Sequence, residues 1–376
     1  MLIDTVRVKV SILILLMESE IDVTVSTVET LVEQLDEDTT VSVLLNGGRN
    51  SRLAELFRPD PRINYYESTV NLGVAGGRNF LLDTAECKGS DIVFILDNDV
   101  VPPRDYVRNL CKFLLDTEDA GVVGALAADI NYAGFALTRF YGSQGCWGDH
   151  IFDLTSADIR NLTLEKFFPQ KLFHIGTNEN FHFTYFSIFS PLCYIANKVT
   201  AKFGFMPFPA GILKFSRPHY EILKGDVDRY SVANVAGCSQ AFRRSLVGEI
   251  GKLNDLFNPY GFEDVDFCLR ALKAGFKNYL HTRTWIFHGT DKRHTTRNSE
   301  KDADDRSQSA IRGRTVLTGL HVPGVWKFRI TMVSVMLGYA LMELAHKRGP
   351  GFAGIIRGYK QGLELLRNSR NHPGKN

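Results

Sequence analysis

Two acidic clusters in this chain have the residue types and spacing to do chemistry. The first is Asp97-Asn98-Asp99, which closes the apolar run Ile92 to Leu96. Two carboxylates two residues apart can share one hard divalent cation, and such a cation commonly also holds substrate phosphates. The second is Glu263-Asp264, with Asp266 after it, following the turn-like Asn258-Pro259-Tyr260-Gly261. Adjacent acids at a loop–helix junction can hold a base ready to take a proton. Two further pieces accompany them. Asn71 to Asn79 (NLGVAGGRN) sets three glycines in a strand-to-helix turn, where backbone N–H groups can approach a ligand closely. Its spacing is neither G-x-G-x-x-G nor G-x-x-x-x-G-K-[ST], which argues against a dinucleotide site or a P-loop. His288 ends a later apolar run and is a candidate third metal ligand. Each piece alone also has a structural reading: acids at strand ends cap helices, and Pro102-Pro103 with Asp105 read as a helix entry.

These residues lie far apart along the chain, so a scaffold must gather them. Val6 to Met17, Thr40 to Leu45, Ile63 to Tyr66, Ile92 to Leu96 and Gly121 to Leu126 read as strands. Val25 to Leu35, Arg52 to Phe57, Asn79 to Ala85 and Asp105 to Leu115 read as helices between them. Such alternation argues for an α/β fold with a parallel sheet and helices on both faces. Ligands in such sheets bind beyond the carboxyl ends of the strands, which is where Asp97 to Asp99 sit.

From about Asn131 to Ser231 the pattern changes. This stretch is rich in aromatics, glycine and proline, and it reads as a large insertion packed on the α/β core. Its histidines, His150, His174, His182 and His219, have no metal-ligand spacing and read as ordinary polar or core residues. Order returns at Val232. Val235 to Ser239 is a small-residue entry into a helix, Arg243 to Gly251. Gly261 to Gly275 reads as a helix with acids in its first turn, where the dipole favours them. Asn278 to His281 and Thr284 to Phe287 read as strands, and Asp291 to Arg314 as a charged mobile loop.

The chain has 376 residues and a formal net charge of +2, which excludes general polyanion or nucleic-acid binding as its purpose. The charge is uneven: from Trp326 onward nine Lys/Arg face two acids. This basic, amphipathic tail points to an anionic surface, as an interfacial helix pair at a membrane, with soluble packing or a homodimer as the alternative. The uncharged run Ile330 to Met342 is short of the roughly 20 residues a spanning helix needs. Six scattered cysteines form no C-x-x-C pair and read as reduced cytoplasmic thiols, and no signal peptide is visible. The expected organisation is an α/β half over 1–130 ending in the Asp97-Asn98-Asp99 cluster, the insertion over 131–231, a second half over 232–325 carrying Glu263-Asp264, and the helical tail over 326–376.

The order of these motifs resembles the family 2 glycosyltransferases, inverting enzymes with a GT-A fold, and within them the rhamnosyltransferase-like members. The matching residues are NLGVAGGRN, DIVFILDNDVVPP and the long stretch from Ala236 to Thr290. The resemblance implies roles. Asp97 and Asp99 would be the D-x-D that binds Mg²⁺ or Mn²⁺ and through it the donor diphosphate, with His288 as an additional ligand. Asp264 would be the catalytic base, with Glu263 beside it. Asn71, Gly73, Arg78, Asp97 and Asn98 would line the donor pocket. The implied reaction moves a hexosyl or deoxyhexosyl group from a nucleoside diphosphate-sugar to a glycan or lipid-linked glycan, in polysaccharide biosynthesis, at the inner face of the cell membrane.

Two positions depart from the family pattern. The first strand runs into Met17-Glu18-Ser19-Glu20 in place of Pro and a small polar turn. The second ends Leu45-Asn46-Gly47-Gly48, so Asn46 stands where an acid ordinarily contacts the nucleotide base. Two other readings compete. A sugar-phosphate nucleotidyltransferase would need a Gly-rich basic loop after the first strand, which Glu18-Ser19-Glu20 does not supply. A non-catalytic glycan- or membrane-binding module would show no metal dependence.

Overall fold

The computed structural model describes residues 1–3, 6–17, 21–57, 59–129, 155–157, 175–177, 228–288, 300–345 and 352–371. Strands β1 (Leu2–Ile3) and β2 (Val6–Arg7) form a short antiparallel ladder. The main sheet is built from β3 (Val10–Leu16), β4 (Thr39–Asn46), β5 (Ile63–Ser68), β6 (Ile92–Asp97), β7 (Val100–Val101), β8 (Ala120–Asp129), β9 (Ile175–Thr177), β10 (Arg229–Val232), β11 (Ser239–Arg243) and β12 (Lys277–His288). Its order is β10-β12-β8-β11-β6-β3-β4-β5, with β7 on β12 and β9 on β8.

Strands β3, β4, β5 and β6 pair in parallel, as expected. The sheet as a whole is mixed, because β11 runs antiparallel to both β6 and β8. The segment Val235 to Ser239 therefore feeds a strand before the helix, and the helix α6 (Ser245–Ile250) comes after it. The alternation of side chains explains both faces. Ile12, Ile14, Leu16, Ile92, Phe94 and Leu96 pack with α1 (Ile21–Val32) and α5 (Tyr106–Asp116). Leu13, Val93 and Ile95 point the other way, toward α3 (Gly73–Leu82) and α7 (Glu263–Lys273). A central strand buried on both faces reads as a continuous apolar run, and Val10–Leu16 is one. Two short helices, α2 (Ser51–Phe57) and α4 (Ala85–Lys88), complete this half.

Three other expectations change. The helix expected from Asn79 starts at Gly73, so most of the glycine-rich segment is helical rather than a turn. Its glycines serve close packing: a Cβ at Gly77 would press into the Leu15 side chain. The two expected strands near 278–287 are one strand, irregular between His281 and Trp285. The charged stretch expected as a loop becomes helix α8 (Glu300–His321) from Glu300 onward, while 291–299 lie outside the described residues. Its apolar positions Ile311, Val316 and Leu317 are buried against other elements, which a count of charges does not reveal. The insertion, Glu18 to Glu20, Cys146, Cys193, and the four histidines His150, His174, His182 and His219 also lie outside the described residues, except 155–157, 175–177 and 228–231 of the insertion. The described cysteines, Cys87, Cys111, Cys238 and Cys268, are all buried.

The tail is helical as expected, in α9 (Val325–Ala345) and α10 (Phe352–Asn371). Helix α10 lies close on α8 because its contact face is glycine. A Cβ at Gly358 would overlap the Gln308 carbonyl oxygen, and one at Gly362 would meet the Arg312 carbonyl oxygen at 2.9 Å. Gly358→Val should therefore lower stability by about 1–3 kcal/mol through overpacking, read as a fall in the urea midpoint at unchanged m. A midpoint equal to wild type would show that the two helices do not pack this way.

His281 gives the fold a pH dependence. Its ring packs 5.2 Å from Phe113 and lies 2.6 Å, through Nδ1, from the Thr284 hydroxyl. Burial pushes its pKa down to about 4. The folded state thus takes up this proton less readily than the unfolded one. Its contribution is complete above about 6.5 and is lost as pH falls through 4, at up to about 1.4 kcal/mol per pH unit. Denaturation at several pH values should show this slope in the wild type and a shallower one in His281→Gln; equal slopes would assign the acid sensitivity elsewhere.

Candidate active site

The carboxyl end of β6 carries Asp97, and the chain then turns into β7. Helix α1 holds that turn. The Thr27 hydroxyl lies 2.9 and 2.8 Å from the carbonyl oxygens of Asn98 and Val100. The Asn98 amide donates to the Thr24 hydroxyl at 3.3 Å. The register of β7 on β12 then sets His288 opposite Val100. This pairing is what brings the imidazole to the aspartates. Nε2 stands 3.5 Å from Asp97 Oδ2 and 3.4 Å from Asp99 Oδ1. One ligand atom from each of the three residues lies within 4.8 Å of the others.

Arg78, on α3, is buried and ties this cluster to the second acidic pair. Its guanidinium donates to Asp97 Oδ1 at 2.7 Å, to Glu263 Oε1 at 2.9 Å and to the Gly237 carbonyl at 3.3 Å. The close approach needs glycine at 237, since a Cβ there would meet Arg78 Nη1 at 2.8 Å. The same Gly237 donates its N–H to Asp264 Oδ2 at 2.8 Å. The Val265 N–H reaches Asp264 Oδ1 at 2.8 Å. Asp264 is thus oriented by two backbone donors at the start of α7 and keeps part of its surface open. Glu263 is more deeply buried, and its second oxygen accepts from the Gly261 N–H at 3.1 Å.

The electrostatics follow from these contacts. Burial, and then the neighbouring Asp264 charge, push Glu263 up to about 7. Burial also raises Asp264 above the ordinary carboxylate range. Asp97 behaves oppositely: burial works against its charge, but His288 and Arg78 hold its pKa below the usual value. Against its own burial, Cys238 and the two aspartates hold His288 well above the usual histidine value. Asp97 is therefore held charged, whereas Glu263 and Asp264 are biased toward taking a proton.

The turn before α7 is braced from outside the sheet. Phe262 adopts φ 76°, a left-handed conformation that costs a bulky residue about 1 kcal/mol or more. Its ring sits under the Arg314 guanidinium, 4.9 Å from the centroid, and against Gly313 of α8. Arg312 donates to the Tyr260 carbonyl at 3.1 Å, and His321 pairs with Asp266 at 2.7 Å. The Asn258 side chain reaches back to cap α3, accepting from the Ala75 N–H at 3.1 Å.

Asn46, Asn71 and Gly73 form a neighbouring group. The buried Asn46 amide donates to Asn71 Oδ1 and to the Gly73 carbonyl, each at 3.2 Å, and accepts from the Leu72 N–H at 2.8 Å. The fold therefore brings Asp97, Asp99, His288, Arg78 and Glu263 into one connected cluster, with Asp264 joined through Gly237. Sequence reasoning missed Gly237, Asn258 and Arg312. The glycine was visible only as part of a small-residue stretch, and nothing in the sequence pointed Arg312 at this turn.

Several comparisons place the chain. No curated protein matches its sequence. Among solved structures it resembles the mannosyltransferase PcManGT from Pyrobaculum calidifontis in complex with GDP-Man and Mn²⁺. That likeness has 13% identity and a TM-score of 0.49, over 98% of this chain and 76% of that one. It also resembles GalNAc-T7 with UDP, GalNAc and Mn²⁺, at 9% identity and a TM-score of 0.52. Here 98% of this chain is covered and 58% of the other, so this chain spans less than two thirds of that protein. The fold is the GT-A nucleotide-diphospho-sugar transferase fold. Residues 12–144, from β3 through Asp97 and Asp99 and past β8, match the family described as Glycosyl transferase family 2.

Proposed function

We propose that this protein is a metal-dependent, inverting glycosyltransferase. It would move a hexosyl or deoxyhexosyl group, rhamnose among them, from a nucleoside diphosphate-sugar to a glycan or lipid-linked glycan at the inner face of a cell membrane. The observation that carries this reading is the Asp97, Asp99 and His288 cluster at a strand end, joined through Arg78 to Glu263 and through Gly237 to Asp264. Two carboxylate oxygens and an imidazole nitrogen are a fitting donor set for Mn²⁺, and the carboxylates alone suit Mg²⁺ as well. Bound there, either ion would offset the charge that develops on a departing diphosphate.

The chain's own residues would do the rest. Asp264, held by two N–H groups, accepts the proton of the acceptor hydroxyl. The acceptor oxygen forms its bond to the anomeric carbon as the bond to the diphosphate oxygen breaks. The electron pair leaves with the diphosphate. One displacement inverts the centre and needs no covalent intermediate. Arg78 fixes the spacing between Asp97 and Glu263, so donor-side and acceptor-side acids move as one unit. Asn46 would act by holding Asn71 and Gly73 at the mouth of the donor pocket.

Thermal stabilisation by a panel of nucleoside diphosphates, with and without Mn²⁺, tests this reading. A ligand of the folded state present at about 100 times its Kd adds about 2.7 kcal/mol. One base should raise the midpoint only when Mn²⁺ is present, and Asp99→Ala should remove that shift. A panel with no shift would favour the glycan-binding module, and an unchanged shift in Asp99→Ala would reject the metal role.

A further inference from the structure

Helix α9 is packed on one side only. Met332 and Val335 are buried with Ile311 of α8 and Ile355 of α10. On the opposite side Trp326, Ile330, Val333 and Leu337 are 72, 43, 65 and 58% exposed. At about 100° per residue these four fall within about 60° of one another and run about 16 Å along the helix. Exposed apolar side chains scattered singly need no explanation, but a continuous stripe does. Lys327 and Arg329 are exposed and lie to either side of it, and the Arg329 guanidinium stands 5.4 Å from the Trp326 ring centroid. Between Val322 and Met342 the chain has no acid.

We infer that this stripe is a docking face for an anionic lipid leaflet, with α9 lying in the plane of the interface. The inference rests on the membrane-face part of the proposed function and is independent of the transfer chemistry. Charge decides the occupant. A leaflet bearing anionic headgroups complements Lys327 and Arg329, while the stripe enters the boundary between headgroups and chains. Trp326 has the amphipathic ring that settles at that depth. A second copy of the same stripe would bring like charges together along both rims. Insertion across the bilayer does not fit, since no described helix is long and apolar enough to cross it. The docked layer would also reach the catalytic turn, because α8 packs between α10 and the Arg312 and Arg314 contacts to that turn.

The test is co-sedimentation of the full chain with vesicles of phosphatidylglycerol and phosphatidylcholine in equal parts, against phosphatidylcholine alone. Wild type should sediment with the anionic vesicles, less so at high salt, and remain in solution with the neutral ones. The double variant Val333→Glu with Leu337→Glu should bind about tenfold more weakly or less, as should Lys327→Glu with Arg329→Glu. All these side chains are exposed, so both variants should keep the wild-type thermal midpoint. Wild type that ignores anionic vesicles, or variants that bind them equally well, would overturn the inference. So would a concentration-dependent dimer that the apolar variant dissociates while vesicle binding is absent. None of these outcomes depends on donor binding, so failure here leaves the glycosyltransferase reading standing, and the converse holds as well.

Discussion

Replacing Asp264 by Asn lowers turnover by about a thousandfold while nucleoside diphosphate affinity in Mn²⁺ stays within about twofold. Asn keeps the shape, and its single carbonyl oxygen can still accept from one of the two N–H groups, Gly237 or Val265, that hold the carboxylate. It cannot take a proton. The loss therefore belongs to kcat and not to donor binding. Glu263→Gln makes the informative contrast. Glu263 is buried against Arg78 and has no free face for an acceptor hydroxyl, so its loss should act on stability and spacing as much as on rate. Steady-state kinetics together with donor titration separates the two. Substantial turnover in Asp264→Asn would move the base elsewhere, and a larger kcat loss in Glu263→Gln would move it to Glu263.

The second large effect is expected at Arg78. Arg78→Ala leaves Asp97, Glu263 and Asp264 facing one another without their shared cation. Breaking a buried pair by removing one partner typically costs about 3–5 kcal/mol. Part of this is relieved because Glu263 is already pushed up to about 7 and takes a proton when Arg78 is gone. Adding Glu263→Gln makes that position neutral without the need for proton uptake and should recover about 1 kcal/mol or more in a double-mutant cycle. Denaturant midpoints of the four proteins measure this. An Arg78→Ala protein within 1 kcal/mol of wild type, or additive effects in the cycle, would show that the bridge is not a structural unit.

Much of the N-terminal α/β half was readable because its signals are local. A near-continuous apolar run such as Val10 to Leu16 reads as a doubly buried strand, and acids at the end of Ile92 to Leu96 then leave the sheet at its carboxyl edge. Helix α8 was not readable, because its burial comes from α10 and the turn before α7 rather than from its own composition. The antiparallel strand β11 was hidden for a related reason: Ser239 to Arg243 is short, and its pairing with β6 and β8 is a choice made by the whole sheet.

The candidate site divides in the same way. The sequence by itself determined which side chains could bind a metal or take a proton, because residue type and close spacing decide that chemistry. Asp97 and Asp99 are neighbours in any fold, and so are Glu263 and Asp264. Only the tertiary structure decided that His288 joins the first pair, through the register of two residues of β7 on β12. Only it made Arg78 a bridge and Gly237 the donor that orients Asp264, since the Arg78 contacts span 19 residues of chain to Asp97 and 185 to Glu263, and the Gly237 contact spans 27. Local chemistry is written in composition and spacing; the distance between two clusters is set by how strands order in a sheet, which no short segment encodes.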